Sequence, residues 1–254
     1  MIKLEKTEVV GLEPAIRGMR NPMNSWEKSD SENGCELVPG SHEFCRECND
    51  AIYTQEVTIC GAGIKPMHVI GPNDHNLMMR LTAGGPVHAK FRRMIVVYVD
   101  ITAPLYWWKE FDTYKVGTVA NSCSTMHKIQ AKEFVSEDFS FEHLRGDSIA
   151  TTNQLLDVLN YWRHEFLELS EQVRNAVTEE DTQFLVKRKK EAWWQMIQLL
   201  PSSYNQKRTV MLNYEVLAGI YPMRKNHKLN EWHDFCDWIK TLPYSEVIIG
   251  DSGE

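Results

Sequence analysis

The side chains able to do chemistry concentrate between Trp107 and His127. Lys109, Glu110, Thr113, Tyr114 and Lys115 stand at the end of an amphipathic stretch, and Asn121, Ser122, Ser124 and His127 follow in a run of small polar residues. His88 lies upstream. Lysine and histidine supply cationic donors, while serine and asparagine supply adaptable hydrogen bonds. Such a set suits a polar, planar or phosphorylated ligand. The stretch shows no Ser-His-Asp spacing and no pair of carboxylates at catalytic spacing, and Cys123 has no evident base. A bound cofactor that carries the reaction fits better than a side-chain nucleophile.

The elements that must position these groups follow from apolar periodicity. Arg93–Ile101 is β-branched and aromatic, apolar on both faces in its middle, and predicts a central strand. Pro104 opens a helix carrying Trp107 and Trp108. Aromatics at helical spacing usually pack, so both are expected in the core or at a subunit interface. Gly71-Pro72-Asn73-Asp74 starts a helix with the stripe Leu77, Met78 and Leu81, stopped by Gly84-Gly85-Pro86. Ala15 to Asn21 forms a short helical turn that Pro22 ends. Four further helices are predicted at Ile149 to about Val173, Thr182–Leu200, Gln206–Tyr221 and Leu229–Lys240. The fold class is α+β, a small antiparallel sheet packed by long helices. There is no internal repeat, P-loop or Rossmann fingerprint.

Length and charge bound the function. The chain has 254 residues, 43% of them hydrophobic, enough for a substantial core. Its net charge is −7 with scattered basic residues, which argues against bulk nucleic-acid or anionic-membrane binding. No apolar run has the length of a membrane span, and the charged start of the chain is unlike a secretory signal. A cytoplasmic location is the default expectation. Residues 31–70 lack periodicity and read as an inserted loop or small Cys-containing subdomain. Within it, His42-x-x-Cys45-x-x-Cys48 has zinc-knuckle spacing, with Cys35 or Cys60 as a fourth ligand, against the alternative of ordinary reduced thiols.

The order of landmarks resembles the flavin-dependent thymidylate synthases, ThyX. The landmarks are Gly84-Gly85 and His88 before the strand, Thr102-Ala103-Pro104, the helix, Thr113-Tyr114-Lys115, and Asn121 through His127. Leu200-Pro201, Asn213, Arg224 and Leu229-Asn230-Glu231 continue the pattern. The resemblance implies one ThyX-like domain over residues 1–254 and a homotetramer with active sites between subunits. It implies FAD as cofactor and the pyrimidine nucleotide dUMP as substrate, with methylenetetrahydrofolate and NADPH as co-substrates. Carried over, His88, Thr113, Tyr114, Lys115, Asn121 and Asn213 would face the flavin. Glu110, Ser122, Cys123, Ser124, Thr125, Met126 and Arg224 would line the nucleotide, with Ser124 the catalytic candidate.

The sequence also departs from that pattern. Thr113, Tyr114 and Lys115 replace an Arg-His-Arg triplet, and Ser122 stands for a glutamate. Met126, Ile197 and Glu215 stand for arginines, and His127 for a tyrosine. Each lost charge-assisted hydrogen bond would cost on the order of 1.5–3 kcal/mol of binding. Lys90, Arg92 and Arg93 stand nearby as substitutes. Three readings follow: thymidylate synthase-like one-carbon transfer from dUMP to dTMP, flavin chemistry on an altered pyrimidine, or a ThyX-fold protein that has lost the reaction and binds nucleotides or only assembles.

Overall fold

The computed structural model describes residues 2–34 and 67–250. Its centre is a four-stranded antiparallel sheet in the order β1 (Lys3–Val10), β4 (Val96–Pro104), β6 (Asn205–Asn213), β5 (Val119–Ser122). β2 (Glu32–Gly34) and β3 (Met67–Val69) form a separate antiparallel ribbon. The expected central strand is β4, but only one of its faces is fully covered. Val97, Val99, Ile101 and Ala103 are buried, while Tyr98 on the other face is exposed.

Two segments differ from the periodicity reading. Gln206–Tyr221 is not one helix: β6 occupies its first half and α6 (Tyr214–Arg224) begins at Asn213. Gln206, Val210 and Leu212 alternate inward, and β6 pairs with β4 along its whole length. That long-range pairing overrides a weak helical pattern. Asn213 is the junction, its Oδ1 accepting from the Val216 amide at 3.0 Å as an N-cap. Pro222 lies inside α6 rather than beyond it. The polar stretch after Gly117 is also not a loop throughout, since Val119–Ser122 pair with β6 as an exposed edge strand. β1 carries only a broken apolar alternation, because it is an edge strand with a register break between Glu5 and Glu8 that separates Leu4 from Val9, and its charged residues face outward.

The buried face of the sheet packs against α1 (Leu12–Arg20), α2 (Pro72–Ala83), α3 (Leu105–Phe111), α6, α7 (Asn230–Lys240) and α8 (Glu246–Ile249). Trp107, Trp108, Trp232 and Phe235 sit at its centre. α4 (Asp147–Asn175) and α5 (Glu179–Leu199) form an antiparallel hairpin with a second, smaller core around Ile129, Phe134, Phe139, Leu159 and Met196. Thr178 caps α5, accepting from the Asp181 amide. Among the described residues no helix is long and apolar enough to cross a membrane. The zinc candidates His42, Cys45, Cys48 and Cys60, with Cys35, lie outside the described residues.

A buried carboxylate ties α1 to α2. Asp74 accepts from Arg20 Nε at 2.5 Å, from the Ser29 hydroxyl at 2.7 Å and from the Ser31 hydroxyl at 2.6 Å. Burial alone raises its pKa, but Ser31, Ser29 and Arg20 outweigh that and hold the carboxyl below its ordinary range. A depressed folded-state pKa means that the stabilisation is complete above the unfolded pKa. It is lost as pH falls through the folded one. Asp74→Asn should therefore flatten the acid limb of a melting-temperature profile below about pH 5. An unchanged acid slope would show that the charge on Asp74 contributes nothing.

Candidate functional site

Glu110, Tyr114 and Arg224 come together at the edge of the aromatic core. Glu110 is one residue from the end of α3, whose Trp107, Trp108 and Phe111 face inward and leave the carboxylate half-buried at the rim. Arg224 ends α6, where a cation is favoured by the helix dipole. Its Nη1 donates to Glu110 Oε2 at 2.7 Å, and its Nε donates to the Tyr114 hydroxyl at 2.8 Å. Glu110 Oε2 also accepts from Trp232 Nε1 at 2.9 Å, and His227 Nε2 stands 3.3 Å away. The guanidinium lies 4.5 Å from the Trp232 ring centre, a cation–π contact. A carboxylate and a guanidinium thus stand side by side, one acceptor and one set of planar donors, beside aromatic faces. That combination complements the edge of a heterocycle that carries both an N–H and carbonyl oxygens.

The loop from Asp112 to Thr118 is held along α6. Gly117 has φ +80°, and a Cβ there would meet Val216 Cγ2 at 3.0 Å and Asn213 Nδ2 at 3.3 Å. Glycine is needed both for the backbone and for the close approach to the Asn213 cap. Thr113 donates its hydroxyl to the Glu110 carbonyl, closing the end of α3. Lys115 is exposed.

The serine-rich half of the stretch is organised differently. Asn121 and Ser122 are exposed on β5, opposite Thr209 and Arg208 of β6. The Cys123 amide donates to the Lys207 carbonyl, and its own carbonyl accepts from Gln206 Nε2. Ser124 Oγ accepts from the His127 amide at 2.9 Å, a turn-stabilising bond. Met126 offers its carbonyl to Trp193 of α5, Thr125 is half-buried, and His88 is exposed beside Gly84. Among the described residues, no hydrogen bond or ion pair joins Asn121, Ser122, Ser124 or His88 to the Glu110–Arg224 pair.

Several participants escape a sequence reading. Trp232 and His227 complete the Glu110 environment. Arg208 pairs with Asp112 at 2.8 Å, bonds Gln206 Oε1 at 3.0 Å and lies 4.1 Å from the Trp108 ring centre. It brings a second guanidinium to the same loop, hidden in the sequence because its strand reads as helix. Glu231, a landmark of the pattern, is buried and accepts from the Tyr106 hydroxyl, tying α7 to α3. Burial and that carboxylate push the Tyr106 hydroxyl pKa well up. Burial pushes the Cys236 thiol up to about 11, which removes it as a nucleophile. The described residues contain no His, Cys, Asp and Glu group able to hold a metal ion.

No protein-family model matches the sequence, and no curated protein matches it. Solved structures do. Thymidylate synthase X (ThyX) from Helicobacter pylori, solved with FAD and dUMP, matches over 97% of this chain and 96% of its own, with TM-score 0.55 and 16% identity. A second structure of the flavin-dependent enzyme from that organism, complexed with FAD and dUMP, matches over 96% of each chain with TM-score 0.55 and 16% identity. The fold is therefore ThyX-like, a mixture of helices and a small antiparallel sheet.

Proposed function

We propose that the protein is a flavin-dependent one-carbon transferase acting on a pyrimidine nucleotide, in the manner of a thymidylate synthase that converts dUMP to dTMP. The observation that supports this most is the convergence of Glu110, Tyr114 and Arg224. The landmark order selects these three residues independently of the fold, and Arg224 bonds both of the others across more than a hundred positions of sequence. The Glu110 carboxylate would accept from the pyrimidine N3–H, and Arg224 would donate to a ring carbonyl. Tyr114, Lys115, Asn213, Asn121, Thr113 and His88 would hold FAD, which when bound supplies the redox chemistry that no side chain here provides. Arg208 adds a cation at the loop, and Ser122 to Met126 would reach the nucleotide from the edge strand.

The likeness to proteins solved with FAD and dUMP supports the class of ligand. The family pattern adds NADPH and methylenetetrahydrofolate as co-substrates. It also adds a single domain over residues 1–254, a cytoplasmic location and a homotetramer whose copies complete each site. Tyr161 and Phe184, 57% and 59% exposed on the α4–α5 hairpin, are candidates for the contact between copies. The test is conversion. Purified protein with FAD, NADPH, methylenetetrahydrofolate and dUMP should yield dTMP by chromatography, and sedimentation of the same preparation should give the mass of four copies.

One observation favours a second reading, a ThyX-fold protein without the reaction. Arg224 is already satisfied by Glu110 and Tyr114, so its charge is committed within the protein. Absence of dTMP together with no uptake of FAD would select that reading over flavin chemistry on an altered pyrimidine.

A further inference from the structure

Arg92 is only 7% exposed, in the turn before β4, and its Nε has no hydrogen-bond partner. Its ionic neighbour Glu215, at the start of α6, stands 3.6 Å from Nη1, beyond hydrogen-bonding distance. The Glu215 Oε2 is itself buried without a hydrogen bond. A buried guanidinium in this condition is costly to keep unless something else meets its donors. Arg92 lines a cavity of about 510 Å³ together with Asn76, Arg80 and Thr82 of α2 and Ile248 and Ile249 of α8. The Thr82 hydroxyl is likewise buried and without a partner. The carbonyls of Arg80 and Thr82 already accept from the Gly84 and Gly85 amides. Glu246, the acid of α8, is held by His75 at 2.7 Å. Among the described residues, Arg92 and Arg80 line the cavity and Glu215 is the carboxylate paired with Arg92, which leaves the described lining cationic.

We propose that this cavity is a second small-molecule site, one that takes a metabolite bearing an oxyanion. The anion would sit on Arg92 and Arg80 with the Thr82 hydroxyl, and an apolar part would lie against Ile248 and Ile249. A phosphate and a carboxylate both offer the required oxygens. None of the cavity-lining residues belongs to the Glu110–Tyr114–Arg224 group; Arg92 also stands among the cations that could replace the arginines missing from the family pattern, so anion binding here should be unchanged by saturating FAD and dUMP.

Calorimetric titration of the full chain with inorganic phosphate and with benzoate, at constant ionic strength, separates the two anions. One of them should bind saturably at one equivalent per chain, and the tighter identifies the headgroup. Arg80→Ala, at an exposed position of α2, should weaken binding by about tenfold or more. Thr82→Val should weaken it less, and Arg92→Gln should abolish it. Lys187→Ala, a distant surface cation, should leave it unchanged. The proposal is overturned if neither probe binds saturably. It is also overturned if Arg80→Ala and Thr82→Val bind as the parent does, or if Lys187→Ala loses as much as Arg80→Ala.

Discussion

Trp107→Ala should lower folding stability by about 3–5 kcal/mol, read as an earlier denaturation midpoint at unchanged slope. Trp107 is completely buried and touches the rings of Trp108, Phe111, Trp232 and Phe235 at centroid distances of 4.8 to 5.7 Å. Removing it opens a cavity where α3 meets α7. Its indole N–H has no hydrogen-bond partner, so Trp107→Phe loses ring volume but no bond. The phenylalanine variant should cost distinctly less than the alanine. The effect should also reach the site, because Trp232 packs on Trp107 and donates to Glu110. A loss below about 1 kcal/mol in the alanine variant would mean that this aromatic cluster does not hold α3 in place.

The second large effect is on binding. Arg224→Ala should weaken dUMP by about 10- to 150-fold, the span of one charge-assisted hydrogen bond. Arg224→Lys should not restore it, since a lysine cannot donate as a planar fork to Glu110 and Tyr114 together. The fold should persist, because Glu110 keeps Trp232 and His227 as partners. Glu110→Gln separates the two readings of the pair. If Glu110 receives the pyrimidine N3–H, the variant binds dUMP more weakly. If Glu110 only ties Arg224 down, the variant binds dUMP at least as well as the parent. Equilibrium dialysis with labelled dUMP reads both.

The sequence made some of this legible and hid the rest for definite reasons. β4 was visible because its β-branched run has no helical alternative, and the burial of Trp107 and Trp108 followed from their spacing. The helices α4 and α5 were visible because their apolar stripes persist over many turns, though not their pairing as a hairpin. β6 was not, because Gln206 to Leu212 becomes a strand only through pairing with β4, a contact more than a hundred residues away. The same error concealed Arg208. β1 was missed because its two core-facing residues, Leu4 and Val9, are separated by a charged stretch with a register break between Glu5 and Glu8. Within the candidate site, the landmark order named Tyr114 for the flavin and Glu110 and Arg224 for the nucleotide, and the structure bonds Arg224 to both of the others. It also selected Ser124 and Asn121, which lie on the edge strand and its turn without a bond to that group. Residue order along a chain does not show which side chains of a shared frame meet within one copy.

The most direct test of the account is a flavin titration. Purified protein, stripped of any bound flavin, is titrated with FAD in the presence of dUMP while the visible spectrum and flavin fluorescence are followed. One FAD per chain should bind, with a shifted absorption band and quenched fluorescence, and Arg224→Ala should remove the part of the spectral change that depends on dUMP. A protein that remains colourless and leaves FAD fluorescence untouched, with or without dUMP, would contradict the account and leave the ThyX-like fold without its cofactor.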